Sequence, residues 1–278
     1  MLKVAIQGGS ASFHDIAAHQ FFKDKSLQII ECDTFKKVCL ELDSGNAAYA
    51  MMAIENSIAG SIIENYSLIE AYGHFVCGEY KLRIKQNLMA LRGQKLEDIN
   101  VARSHYMALL QCNEFFEQYP HIKLEKYHDT ADSAKDIKEN QRFGMAAIAG
   151  EMAAELYDLE ILAEGIETEK KNYTRFLVLS KNKEFLYPKN ELNKATLSFE
   201  LPDRVGALAD ALKAIVDNGI NLTKIQSVPL LGRPDNYTFY IDCGWNEQSA
   251  IFNCYRQMKK IISKMTVLGE YKNHSIEL

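Results

Sequence analysis

Between Leu2 and Tyr157, short apolar runs alternate with amphipathic ones, and this alternation constrains the fold more than any other feature of the chain. Leu2–Gln7, Leu27–Cys32, Ala48–Ile54, Ile99–Arg103, Ile122–Tyr127 and Gly144–Ala149 read as strands. Ser12–Phe22, Thr34–Leu42, Ile58–Tyr72, His105–Tyr119, Ala131–Asn140 and Glu151–Tyr157 read as the helices that follow them. Strands separated by helices of this length build parallel sheets with helices on their faces. The pattern breaks where Phe75–Leu82 and Ile84–Leu91 read as two successive strands. Such a crossing carries the chain from one α/β lobe to another, and Thr174–Ser180 offers a return. Two lobes with a cleft between them are expected.

The polar stretch from Lys181 to Asn193, with Pro188 inside it, reads as a linker. Beyond it lies a compact βαββαβ unit: strand Ala195–Leu201, helix Arg204–Asp217, strands Asn221–Leu231 and Tyr237–Cys243, helix Gln248–Ile262 and strand Thr266–Tyr271. The first helix carries Val205, Leu208, Ala209, Leu212, Ile215 and Val216 on one face, and Gly219 closes it. Gly232-Arg233-Pro234-Asp235 supplies the turn between the middle strands. This order gives a ferredoxin-like, four-stranded antiparallel sheet with two helices on one face. One sheet edge is free to pair with a second copy, so a homodimer or homotetramer is expected.

Composition narrows the function. The formal net charge is −5, so the chain lacks the basic surplus that a phosphate backbone requires, and nucleic acid is not an expected partner. No apolar run reaches the roughly 18 residues of a membrane span. The start of the chain runs directly into a strand without the apolar core of a signal peptide, so a cytoplasmic location is expected. The six cysteines, at 32, 39, 77, 112, 243 and 254, form no CxxC pair and read as reduced core residues. No GxGxxG after a strand, Walker loop, HExxH or GxSxG is present.

Small polar residues recur where strands give way to helices: Ser10 to Ser12, Glu55-Asn56-Ser57, Ser104, and Asp129-Thr130. Taken singly, each is an N-cap. Together they sit where open α/β sheets bind ligands, and free N–H groups at helix starts favour an anion. A small carboxylate between the lobes follows as the physical expectation. Asn172-Tyr173-Thr174-Arg175-Phe176 adds a hydroxyl next to a cation.

These segments resemble a known family. Ala53 to Gly60 resembles the ENS/ENT-x-x-G segment of prephenate dehydratases, and Asn172 to Phe176 matches their N-x-TRF motif. Ser104-His105 followed by Gln111-Cys112 resembles SHPQ…QC, with Tyr106 and Met107 in place of Pro and Gln. Asp129-Thr130-Ala131 is similar to the DTA segment. Gly8 to Phe13 resembles the GPxGTF loop, with Gly9 for Pro, Ala11 for Gly and Ser12 for Thr. Gly206-Ala207-Leu208-Ala209 is similar to the GALA motif of the family's ACT domain, whose ESRP motif becomes Gln226-Ser227-Val228-Pro229.

The resemblance implies an α/β chain with a two-lobed, periplasmic-binding-protein-like catalytic domain over 1–181 and an ACT regulatory domain over 194–272. It implies decarboxylating dehydration of prephenate to phenylpyruvate, without metal or cofactor. Thr174 would donate to the leaving hydroxyl, Arg175 would hold a carboxylate through its planar fork, and Asn56 would complete the catalytic set. Ser12, Ser57, Ser104, Gln111 and Thr130 would bind substrate. Phenylalanine would act as feedback ligand at Gly206, Ala207, Leu208, Asn221, Leu222 and Ser227, with Gly206 allowing a carboxylate close to the backbone. Two alternatives stand beside this: an arogenate dehydratase, and a non-catalytic small-molecule sensor.

Overall fold

The computed structural model describes residues 1–230 and 237–274. The expected turn at Gly232-Arg233-Pro234-Asp235, and Leu231 before it, lie outside the described residues. In chain order the elements begin with β1 (Leu2–Gln7), α1 (Phe13–Phe21), β2 (Leu27–Cys32), α2 (Phe35–Asp43), β3 (Tyr49–Asn56) and β4 (Gly60–Ser61). There follow α3 (Ile63–Tyr72), β5 (Phe75–Arg83), β6 (Asn87–Ala90), β7 (Val101–His105), α4 (Tyr106–Gln111), α5 (Asn113–Glu117), β8 (Lys123–Tyr127) and α6 (Thr130–Glu139). The order continues with β9 (Met145–Ala149), α7 (Glu151–Leu156), β10 (Glu160–Ala163) and β11 (Tyr173–Ser180). Last come β12 (Lys194–Glu200), α8 (Ala207–Asp217), β13 (Asn221–Pro229), β14 (Tyr237–Gly244), α9 (Gln248–Met258) and β15 (Lys264–Tyr271).

The chain forms two units, Met1–Ser61 with Lys81–Phe176 and Ile62–Tyr80 with Leu177–Leu278. The division falls inside β5 and β11. In the first unit β2, β1 and β3 pair side by side and parallel, with Leu2 opposite Leu27 and Val4 opposite Tyr49. Val4, Ala5 and Ile6 are fully buried, as a strand covered on both faces requires. The start of β11 lies beyond β3 in the same sheet. A second sheet has the order β10-β6-β9-β7-β8, with β7 parallel to both neighbours and β6 antiparallel to β9. These two sheets, each with its own helices, are the two expected lobes.

Several expected boundaries shift. The helix expected over Ile58–Tyr72 starts only at Ile63, because Asn56 and Gly60 close an antiparallel turn between β3 and β4. The helix expected over His105–Tyr119 breaks at Cys112, a buried residue whose φ of −108° ends α4. Ser104 lies inside β7 and not at a helix start. The strand β10 was not expected; its four residues alternate too little to stand out.

The second unit contains the βαββαβ order, with sheet order β13-β14-β12-β15. Ala195, Leu197 and Phe199 of β12 join Ala211, Ile215, Ile251 and Cys254 of α8 and α9 in one core. Alternation turns Lys194, Thr196 and Ser198 to the opposite face, which is also buried. There Lys194 Nζ lies 3.0 and 2.8 Å from the two carboxylate oxygens of Glu79 on β5. Ser198 and Tyr240 donate to Glu70 of α3. A Cβ on Gly269 would lie 2.0 Å from the Val76 carbonyl oxygen, so β15 and β5 approach where only glycine fits.

Candidate active site

The site is built where the first lobe, the second lobe and the returning strand β11 meet. Asn56, the last residue of β3, accepts hydrogen bonds at Oδ1 from the backbone N–H groups of Ile58 and Ala59, at 3.0 and 2.8 Å. Two backbone donors on one oxygen fix which way the amide faces. Its Nδ2 must therefore point at β11, where it donates to Thr174 Oγ1 at 3.0 Å and to Asn172 Oδ1 at 2.8 Å. Asn172 in turn donates to Gln111 Oε1, at the end of α4 in the second lobe, at 3.0 Å. The Gln111 carbonyl also accepts from the Thr168 N–H at 2.8 Å. Ser57 brackets the same strand, accepting from the Tyr173 N–H at 2.9 Å and donating to the Lys171 carbonyl at 3.1 Å.

One consequence is chemical. A hydroxyl that already accepts from an amide N–H keeps its own hydrogen for another acceptor. Thr174, half-buried, thus presents an O–H donor rather than a lone pair awaiting a proton. Arg175 follows it on β11 and is buried, with contacts of its own. Successive strand residues start towards opposite faces, so the Arg175 side chain leaves the backbone on the face away from the Thr174 side chain. Phe176 projects on the Thr174 side by the same rule, and its ring meets the edge of His14 at 5.0 Å between centroids. His14 Nε2 accepts from the Ala53 N–H at 3.3 Å, and burial pulls its pKa down to about 3, so this ring is neutral.

The other expected residues are distributed differently. Ser12 caps α1, and Asp15 folds back to accept from the Ala11 N–H at 2.7 Å. Ala11 has a φ of +64°, in the region that favours glycine, and its buried methyl packs into the second lobe's core beside Ala131 and Ala153. Thr130 opens α6 and is buried, but Asp129 is the cap, accepting from the N–H groups of Ala131 and Asp132. Burial pushes the Asp129 carboxyl up. A Cβ on Gly8 would lie 3.2 Å from Asp129 Oδ2, so the lobes approach closely here. Protein carboxylates, Asp15 and Asp129, thus stand at the starts of α1 and α6. Ser104 is fully buried and donates to the Ile148 carbonyl at 2.6 Å, within its own sheet. Asn56, Ser57, Gln111 and Thr174 thus come together, while Ser12 and Thr130 lie near the Gly8–Asp129 approach and Ser104 is a core residue. Asn172, absent from the expected set although inside the N-x-TRF motif, is the residue that joins the others.

A cavity of about 370 Å³ lined by Phe13, Ile16, Leu82, Lys85 and Met152 contains none of the expected residues. In the second unit a cavity of about 250 Å³ is lined by Gly206, Ala207 and Leu208, together with Arg204, Tyr237 and Phe239. Gly206 has a φ of +82° and open space where a Cβ would stand. Asn221, Leu222 and Ser227 lie on the edge strand β13, outside this lining. Among the described residues no group of three or more His, Cys, Asp or Glu is placed to hold a metal ion, and no helix is long and apolar enough to cross a membrane. All six cysteines are free and buried.

The chain resembles known proteins along most of its length. A family model described as prephenate dehydratase matches residues 4–184, and one described as ACT domain matches residues 195–244. A bifunctional chorismate mutase/prephenate dehydratase of Buchnera aphidicola is 30% identical over 97% of this chain and 70% of its own length. The crystal structure of a prephenate dehydratase from Arthrobacter aurescens in complex with L-Phe has a TM-score of 0.88 at 26% identity, covering 98% of this chain and 90% of that one. GqqA, described as a quorum quenching acylase, has a TM-score of 0.89 at 27% identity, covering 98% of both chains.

Proposed function

The chain belongs to the prephenate dehydratase family, and from that premise we propose that it is a carbon–oxygen lyase converting prephenate to phenylpyruvate, with Thr174 as the hydrogen-bond donor to the leaving group. In this reaction the bond to the ring carboxylate breaks and carbon dioxide departs. The electron pair left behind enters the ring as the bond to the ring hydroxyl breaks. That hydroxyl leaves with a proton as water, and the ring becomes aromatic. Aromatisation supplies the drive, so the protein needs no strong nucleophile. It must orient the dianion, assist the departing oxygen and limit solvation of the carboxylate that is lost.

The observation that supports the reading is the Asn56–Thr174 hydrogen bond, which leaves the threonine hydrogen available to substrate. A threonine hydroxyl is a weak acid, so its part is directed hydrogen bonding with partial proton transfer, worth about 10²–10⁴ in rate. Asn56, Ser57 and Gln111 shape the surroundings of that donor. Arg175, next on the same strand, is proposed to hold a substrate carboxylate, and Ser12 and Thr130 are proposed to bind substrate from the starts of α1 and α6. Ser104 contributes to the packing beneath it.

An acylase activity, the one named for GqqA, would need an activated nucleophile. The partner of Thr174 Oγ1 is an amide N–H and not a base, which gives that chemistry no support here. The ACT domain over 194–272 is proposed to take phenylalanine in the Gly206–Leu208 cavity and to pair through β13 into a homodimer or homotetramer. The catalytic domain is proposed to span 1–181, and a cytoplasmic location fits the six reduced cysteines. The test is incubation of the purified chain with prephenate and, separately, with arogenate. Phenylpyruvate and carbon dioxide formed in equal amounts from prephenate is the expected result. Tight prephenate binding without product would leave the sensor reading instead.

A further inference from the structure

We infer that Asn172 is a positioning residue for the reaction: it spans the two lobes and holds Asn56 so that the Thr174 hydroxyl hydrogen points to substrate. The inference rests on the proposed role of Thr174. Asn172 is fully buried, so it does not touch substrate, and its amide is used from both ends. Its oxygen accepts from Asn56 Nδ2 and its nitrogen donates to Gln111 Oε1. The result is a continuous chain from Gln111 on the second lobe, through the returning strand, to Asn56 on the first lobe and then to Thr174.

The chain matters because Asn56 Nδ2 has a competing acceptor. The Tyr173 carbonyl lies 3.4 Å from it, against 3.0 Å for Thr174 Oγ1. Asn172 Oδ1, at 2.8 Å, takes one of the two hydrogens of Nδ2 and so fixes where the second one goes. The Ile58 and Ala59 N–H groups keep the amide's oxygen in place, so losing that anchor lets only its nitrogen tilt towards the carbonyl. Thr174 is then free to donate to a protein group, and its hydrogen is lost to the substrate. Gln111 sets the far end. Its side chain is held by Asn172 and its carbonyl by Thr168 of the same returning segment, so the α4 end and Asn172 move as one piece.

A residue acting only through Thr174 has no effect once the hydroxyl is gone, and this yields the test. Prephenate turnover is compared in wild type, Asn172→Ala, Thr174→Val and the double variant, with Gln111→Met in the same two backgrounds. Asn172→Ala is expected to lower kcat about 10- to 100-fold with KM within about twofold, and to add nothing in the Thr174→Val background. Gln111→Met is expected to lower kcat less and to show the same non-additivity, which keeps the test open should Asn172→Ala fold poorly. Equal penalties in both backgrounds, or an effect on KM alone, would overturn the relay while leaving the role of Thr174 intact. Full turnover by Thr174→Val would overturn both the relay and the proposed function.

Discussion

The side-chain amide of Asn56 faces the hydroxyl of Thr174 with its nitrogen, 3.0 Å away, because two backbone N–H groups hold its oxygen on the other side. Asn56→Asp separates these two duties. The carboxylate still accepts from Ile58 and Ala59, so the β3–β4 turn survives. Its second oxygen now meets Thr174 as an acceptor, and the threonine hydroxyl turns to donate to it. Turnover should fall by about 10²-fold or more, and because the same oxygen also faces Asn172 Oδ1, part of the thermal stability is lost with it. Steady-state kinetics alongside calorimetry checks this, and retained turnover would mean that the orientation of Thr174 is not what matters.

His14 makes stability depend on acid. Its folded-state pKa, about 3, lies below its ordinary 6.5, so the unfolded chain binds a proton that the folded one refuses. Stability from this residue is therefore complete above about pH 6.5 and is lost as the pH falls from there towards 3. His14 as a residue is only partly buried, so the loss by pH 5 is ~1–2 kcal/mol. Urea unfolding at pH 7 and pH 5 should show that difference, and His14→Gln should remove it.

In the second unit, Glu79 and Lys194 form an ion pair in which both side chains are almost wholly buried. Glu79→Gln leaves the ammonium without its counter-charge and should cost about 3–5 kcal/mol, read as a fall in Tm. Glu79→Gln combined with Lys194→Met removes the stranded charge and should recover most of that loss. A Tm unchanged by the single substitution would show that solvent reaches the pair.

The ACT motif on β13 has lost both charged residues, and the cavity beside Gly206 has a cation of its own in Arg204. It is held by Asp210 at 2.6 Å but remains half-exposed, so it can reach a ligand carboxylate. Phenylalanine should bind the intact protein, and Arg204→Ala should weaken that binding about 10- to 100-fold, the value of a charge-assisted hydrogen bond. Calorimetric titration decides it. No heat with the intact protein would leave the ACT domain a purely structural role.

Elements with strong local patterns were legible in the chain. The bounds of β1 and β2 match their apolar runs, and the βαββαβ order follows from period and turn residues. Elements set by tertiary pairing were not. Only the partner strand β3 makes Gly60–Ser61 a strand, and only β6 does so for Glu160–Ala163. The site shows the same split. Short motifs single out Thr174 and Asn56, whereas the hydrogen bonds that Asn172 makes join it to residues 61 and 116 positions away in the chain. Ser104 has the composition of a cap but spends its hydroxyl on a neighbouring strand, which no local pattern reveals.

The most direct measurement is phenylpyruvate formation from prephenate by wild type, Thr174→Ser and Thr174→Val, assayed together. Thr174→Ser, which keeps a hydroxyl able to accept from Asn56, should retain much of the wild-type kcat, whereas Thr174→Val should lose at least about 10²-fold with its fold intact. Turnover by a folded Thr174→Val close to that of wild type would contradict the proposed role of Thr174.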